Sequence, residues 1–209
     1  MQTVIDQALA ELKVVPVVKI DNLDQAHPLG SALAAGGLPV AEITLRTDCA
    51  LEAISRFASI EGMLVGAGTV LNCDQAVAAI DAGAKFVVSP GLDEATVEFC
   101  LEKNIAIYPG CATATEVQRA YNFGLRSIKF FPAESLGGVG TLKALAAPFH
   151  QMRFVPTGGI TGTNAMHYLS LECTLAVGGS WMVKPELYSG GDFESVIELT
   201  NAAVEAVNS

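Results

Sequence analysis

Lys129 lies in Ser-Ile-Lys-Phe-Phe-Pro (127–132), an amine flanked by large apolar side chains near the end of a run that reads as a buried strand. Burial among apolar groups disfavours an ammonium, and the neutral amine is the form that adds to carbonyls to make imines. A lysine at a strand end also fits a stem laid along apolar surface with its head in water. The residue therefore needs partners before it suggests catalysis. Ala-Glu-Ile-Thr-Leu-Arg-Thr (41–47) supplies them. Alternate side chains of a strand face opposite sides, which groups Glu42, Thr44 and Arg46 against Ile43 and Leu45. With the apolar pair packed on covering helices, the acid and the arginine point inward. The same alternation sends Ser127, Lys129 and Phe131 inward, and Ile128 and Phe130 outward. An amine, a carboxylate and a guanidinium converging in one apolar interior can serve as nucleophile, proton shuttle and carboxylate clamp. Taken alone, the Glu42 and Arg46 pair equally fits an ion pair that closes the interior.

Two glycine turns add an anion site to this set. They are Pro156-Thr157-Gly158-Gly159-Ile160 and Val177-Gly178-Gly179-Ser180-Trp181. Glycines after late strands of a parallel barrel free backbone N–H groups to converge on phosphate, so Thr157, Gly158, Gly159, Gly178, Gly179 and Ser180 are candidate phosphate contacts. Gly66-Ala67-Gly68-Thr69 and Ser89-Pro90-Gly91 follow two earlier strands and could line a substrate, with a hydroxyl from Thr69 and a stiff wall from Pro90. Both segments would look much the same as plain turns. Lys19, Lys85 and Lys103 sit at strand or helix ends, where solvation or the helix dipole accounts for them. His27, His150 and His167 lack the spacing of a metal pair, so no metal is assigned. Trp181 reads as packing.

These residues need a frame that brings strand ends together. Runs rich in β-branched residues alternate with longer amphipathic stretches, the pattern of strand and crossover helix. Strands are expected at 14–20, 40–45, 63–69, 86–90, 105–109, 127–131, 154–158 and 175–179. Helices are expected at 23–36, 73–83, 93–103, 115–123 and 163–169, with Gly36, Gly83 and Gly124 at C-terminal ends. Eight such units predict a (β/α)8 TIM barrel with an extra N-terminal helix around 4–12, as a single domain over 1–209. A doubly wound open sheet is the rival, but no strand is followed by a dinucleotide-type glycine fingerprint. Asp192, Glu194, Glu198 and Glu205 read as a solvated helix face.

Bulk composition narrows the partners. The chain has 209 residues, 51% of them hydrophobic, enough for one substantial core. A formal charge of −10 argues against nucleic acid and anionic membrane, both of which need a cationic face. Five scattered cysteines with no Cys-x-x-Cys pair indicate neither a disulfide framework nor a zinc knuckle, which fits a reducing cytoplasm. No leader-like start and no apolar run of membrane-spanning length is seen, so a soluble, untargeted protein is expected.

Taken together, Glu-Ile-Thr-Leu-Arg-Thr (42–47), Val-Gly-Ala-Gly-Thr-Val-Leu (65–71), Ser-Pro-Gly (89–91), Lys-Phe-Phe-Pro-Ala-Glu (129–134), Pro-Thr-Gly-Gly-Ile (156–160) and Gly-Gly-Ser-Trp (178–181) closely resemble the class I 2-keto-3-deoxy-6-phosphogluconate (KDPG) aldolases, also called 4-hydroxy-2-oxoglutarate (KHG) aldolases. The resemblance implies a metal-independent barrel, usually a homotrimer, needing no cofactor beyond a covalent imine. It implies Lys129 as the Schiff-base lysine and Glu42 as the general acid/base. Arg46 and Thr69 would contact the pyruvate portion, Pro90 and Phe131 would line the pocket, and Gly158, Gly159, Gly179 and Ser180 would hold the distal phosphate. The N-terminal dozen residues match poorly.

The expected activity is reversible cleavage of 2-dehydro-3-deoxy-6-phosphogluconate to pyruvate and glyceraldehyde 3-phosphate, and of 4-hydroxy-2-oxoglutarate to pyruvate and glyoxylate. A sister family acts on the galacto-configured sugar acid and shares much of the pattern. Phe130, Ala133-Glu134 and Ser180 before Trp181 are closer to the gluconate type. A phosphate-sugar isomerase or epimerase, or a non-catalytic metabolite-binding barrel, would use the same frame without an imine.

Overall fold

The computed structural model describes residues 2–208. In chain order the elements are α1 (Gln2–Leu12), β1 (Val14–Val18), α2 (Ala26–Ala35), β2 (Val40–Thr44), α3 (Ala50–Ala58), β3 (Leu64–Gly68), α4 (Cys73–Asp81), β4 (Phe86–Val88) and α5 (Glu94–Glu102). There follow β5 (Ala106–Tyr108), α6 (Ala114–Asn122), β6 (Ser127–Phe130), α7 (Gly138–Ala146), β7 (Arg153–Pro156), α8 (Ala165–Leu169), β8 (Val177–Gly179), α9 (Pro185–Tyr188) and α10 (Glu194–Asn208). All eight expected strands are present, each shorter than its apolar run.

Every strand pair is parallel. One ladder runs β5-β4-β3-β2-β1-β8 and a second pairs β6 with β7. Isolated bridges between Gly110 and Lys129, and between Thr157 and Gly178, join the two ladders into a closed (β/α)8 barrel. The join at β6 fixes the backbone of Lys129. Its N–H donates to the Pro109 carbonyl at 3.0 Å, and its own carbonyl accepts from the Cys111 N–H at 2.8 Å.

Period-two alternation divides the apolar side chains into two cores. Val14, Val18, Ala41, Ile43, Val87, Ile107, Ile128, Phe130 and Phe154 face the helices. Val15, Val40, Phe86, Val88, Ala106, Tyr108 and Val155 fill the barrel. Helix α1 plugs the barrel's lower end. Ile5 and Leu9 join the interior cluster, and the Asp6 carboxylate accepts from the Tyr108 hydroxyl at 2.7 Å and the Ser127 hydroxyl at 2.8 Å. This N-terminal helix thus seals the floor beneath the inward strand residues.

Helix ends follow local chemistry. Asn72, Asp93 and Thr113 cap the N-termini of α4, α5 and α6 through their side chains, the last in a capping box with Glu116. Gly83 and Gly124 stand just past α4 and α6 in the left-handed region, at φ 111° and 86°. At α2 the glycine expected at the C-terminal end is the cap itself. Gly36 closes the helix at φ −78°, and Gly37 takes the left-handed turn at φ 88°. Gly36 is instead required for closeness, since a Cβ there would sit 2.6 Å from Cβ of Thr200 on α10.

Candidate active site

At the C-terminal ends of the strands a pocket of about 280 Å³ opens. It is lined by Glu42, Arg46, Thr69, Pro90, Lys129, Phe131, Thr157, Gly158, Gly159, Gly178, Gly179 and Ser180, whereas Gly66, Ala67, Gly68, Ser89 and Gly91 of the two segments that could line a substrate do not reach it. Three further residues complete the wall. Thr44 was already grouped inward by alternation. Val17 shares the inward face of β1 with Val15 and could have been found the same way. Ile160 ends the first glycine turn.

Lys129 is the one buried lysine among the described residues, at 6% exposure, and Glu42 is buried beside it at 4%. Its Nζ lies 3.2 Å from Oε1 of Glu42 and 5.3 Å from the centre of the Phe131 ring. By contrast Lys19 pairs with Asp21 in solvent, while Lys85 and Lys103 are exposed. The geometry places an amine and a carboxylate within proton-transfer reach at the base of an open pocket.

Strand β3 makes room for this pair. Its inward positions are Gly66 and Gly68. A Cβ on Gly66 would meet the Phe86 ring at 2.1 Å, and one on Gly68 would meet Oε1 of Glu42 at 2.3 Å. The sequence places Gly-Ala-Gly-Thr in the closing half of the strand expected at 63–69 and also allows it as a turn beyond it. In the structure its glycines are strand residues whose missing side chains admit Phe86 and the Glu42 carboxylate. Thr69 follows at φ 58°, a left-handed conformation rare for a β-branched residue.

Arg46 reaches the rim from the end of β2. Its Nε donates to the Thr44 hydroxyl at 3.1 Å, and that hydroxyl donates to the Val18 carbonyl at 2.9 Å. Among the described residues the guanidinium forms no ion pair, so its charge is available to an incoming carboxylate.

Across the pocket, Gly158 and Gly159 take φ values of 98° and 79°. The N–H groups of Gly159, Ile160 and Ser180 donate to no acceptor among the described residues. Successive backbone N–H groups in a turn can make a concavity suited to an anion. Trp181 packs on Gly179 and lies beside Gly162, just beyond the first glycine turn. A Cβ on Gly179 would meet its six-membered ring at 2.0 Å, and one on Gly162 would lie 3.4 Å from its Nε1.

Other titratable groups border the site from below or behind: Tyr108 lines a small cavity with Glu42 and Lys129, and the Cys111 N–H donates to the Lys129 carbonyl. Burial pushes the Cys100 and Cys111 thiols up to about 12. Burial, with the neighbouring Asp6 carboxylate, raises the Tyr108 hydroxyl. His27, His150 and His167 are exposed, and no group of three His, Cys, Asp or Glu gathers as metal ligands among the described residues.

Comparison with known proteins supplies the context for this geometry. A family model described as KDPG and KHG aldolase matches residues 5–199. The KHG/KDPG aldolase of Escherichia coli is 45% identical over 193 residues, 92% of this chain and 91% of that one. The crystal structure of a Zymomonas mobilis 2-keto-3-deoxy-6-phosphogluconate aldolase with 3-phosphoglycerate superposes with a TM-score of 0.89 at 43% identity, covering 95% of this chain and 94% of that one. A KDPG aldolase from Legionella pneumophila, with pyruvate captured as a covalent carbinolamine intermediate, superposes with a TM-score of 0.91 at 37% identity, covering 95% and 97%.

Proposed function

The chain belongs to the KDPG and KHG aldolase family, and from that premise we propose that it is a class I aldolase whose working pair is Lys129 and Glu42. It cleaves 2-dehydro-3-deoxy-6-phosphogluconate to pyruvate and glyceraldehyde 3-phosphate, and 4-hydroxy-2-oxoglutarate to pyruvate and glyoxylate. The observation that carries this reading is the buried amine 3.2 Å from a buried carboxylate, under a pocket lined by a guanidinium that forms no ion pair among the described residues and by amides with no acceptor among them.

In the cleavage direction Lys129 hands its ammonium proton to Glu42, and the neutral amine then adds to the C2 ketone to give a carbinolamine. Loss of water gives a protonated imine, which is the electron sink. Glu42 delivers the proton that lets hydroxide leave as water, then takes the C4 hydroxyl proton as the C3–C4 bond breaks. The electron pair of that bond enters the imine to form an enamine, and the aldehyde departs. Glu42 returns that proton to the enamine at C3, and hydrolysis of the imine releases pyruvate and restores the amine. Arg46 holds the substrate carboxylate and Thr69 offers it a hydroxyl, while Pro90 and Phe131 wall the reacting carbons. Thr157, Gly158, Gly159, Gly178, Gly179 and Ser180 enclose the distal phosphate.

No cofactor enters this scheme. Five free thiols support a cytoplasmic enzyme of carbohydrate breakdown, the Entner–Doudoroff pathway in particular. Leu51 on α3, Val77 on α4, Leu101 on α5 and Leu71 just before α4 leave exposed apolar side chains, which supports the homotrimer that the family resemblance implies. Sedimentation analysis giving a monomer would contradict the trimer. We read 1–209 as one domain.

The assay is pyruvate release from 2-dehydro-3-deoxy-6-phosphogluconate, from its galacto-configured epimer and from 4-hydroxy-2-oxoglutarate. Preference for the gluco compound is expected. Preference for the epimer would move the chain to the sister specificity, and no pyruvate from any of the three would end the reading.

A further inference from the structure

The β7 turn is held from behind by residues that do not line the pocket. The Gly158 carbonyl accepts from the Glu134 N–H at 3.1 Å, and the Gly159 carbonyl accepts from Nδ2 of Asn164 at 3.0 Å. Asn164 is itself fixed, because its Oδ1 accepts from the Thr161 N–H at 2.8 Å. Glu134 is anchored by the buried Tyr168, whose hydroxyl donates to its carboxylate. The Glu134 stem leaves no space for a side chain at Gly159, where an added Cβ would lie 2.6 Å from its Cγ.

A trans peptide is planar, with its N–H directed opposite to its C=O. Pinning the Gly158 carbonyl on Glu134 therefore turns the Gly159 N–H away from Glu134. Pinning the Gly159 carbonyl on Asn164 turns the Ile160 N–H away from Asn164. These are two of the amides left without acceptors, and both belong to pocket-lining residues. Without the two pins, positive-φ glycines could rotate their peptide planes at little steric expense.

We infer that Asn164 and the Glu134–Tyr168 pair are positioning residues that orient the amides of the β7 turn toward the phosphate of the substrate, and so set the preference for phosphorylated over unphosphorylated 2-keto-4-hydroxy acids. The inference rests on the reading of that turn as a phosphate cradle. None of the three residues touches the reacting carbons. Their effect belongs to the phosphate half of the substrate alone.

The test compares N164A, Y168F, E134A and E134Q with the wild type. In N164A, which loses its bond to the Gly159 carbonyl, the ratio of kcat/KM for 2-dehydro-3-deoxy-6-phosphogluconate to that for 4-hydroxy-2-oxoglutarate is expected to fall about tenfold, the scale of one lost hydrogen bond to a charged group; in Y168F and E134A, which keep the Glu134 main-chain N–H on the Gly158 carbonyl and lose only the side-chain anchor of that segment, the ratio should fall in the same direction by less. Competitive inhibition by inorganic phosphate should weaken in parallel. E134Q, which still accepts from the Tyr168 hydroxyl, should keep the wild-type ratio. An equal fall on both substrates would reveal general loosening and overturn the inference, as would an unchanged ratio in N164A together with E134A, which alters an exposed side chain should Y168F not fold. If inorganic phosphate does not compete in the wild type, the cradle reading itself fails. If it competes there and the variants match the wild type, only the positioning role is lost.

Discussion

Nζ of Lys129 and Oε1 of Glu42 stand 3.2 Å apart with side-chain exposures of 8% and 5%, although 87 residues of chain separate them. Strand β6 delivers one and strand β2 the other, on opposite flanks of the barrel lumen. Glu42→Gln keeps the shape and one acceptor but removes the exchangeable proton. Its turnover should fall by about a hundredfold or more while pyruvate still forms an imine. Stopped-flow rates that match the wild type would remove Glu42 from the proton transfers.

The same pair makes a prediction about stability. Removing one member of a buried ion pair leaves the other uncompensated, whereas replacing both by apolar groups of similar volume is often neutral or favourable. Lys129→Met should lower unfolding free energy by about 3 kcal/mol, the lower end for such losses because the pocket admits water. Adding Glu42→Leu should restore most of that loss in an inactive protein. Urea denaturation of the two variants checks it, and a double variant less stable than the single would contradict it.

Thr69 holds φ 58° at the pocket wall. A left-handed conformation costs a residue with a Cβ about 1–2 kcal/mol, and a glycine largely escapes this. Thr69→Gly should therefore unfold at higher urea concentration than the wild type and yet show a raised KM for pyruvate in the condensation direction. Loss of stability in this variant would mean that Thr69 packing outweighs the strain.

Cys100 and Cys111 are buried, with thiols raised by burial from 9.0 to about 12. At pH 8 an aromatic disulfide reagent should leave both unmodified in the native protein and modify all five cysteines after unfolding. The linkage has a definite sign. The folded state keeps these protons more tightly, so their contribution is fully present below pH 9 and is lost as pH rises from 9 toward about 12. Urea midpoints across that window should decline.

Much of the site was legible because a strand's period is exact. Once Ile43, Leu45, Ile128 and Phe130 are assigned to the helix-facing side, Glu42 and Lys129 have one direction left. What stayed hidden depended on pairings between distant segments. The glycines of β3 gave no sign that they shelter Phe86 and Glu42, since space left for a neighbour is visible only when the neighbour is in place. Asn164 and Tyr168 sit in an unremarkable turn and a five-residue helix, and their bearing on the β7 turn comes from bonds to Gly159 and Glu134. The plug function of α1 was equally invisible, because it rests on Asp6 meeting Tyr108 and Ser127, more than 100 positions along the chain.

Borohydride reduction in the presence of pyruvate tests the central chemistry most directly. Mass mapping should find one pyruvate-derived adduct, on Lys129, in the wild type and in Glu42→Gln, and none in Lys129→Ala, which should also lack turnover. An adduct on any other lysine, or aldol cleavage that persists in Lys129→Ala, would contradict the account.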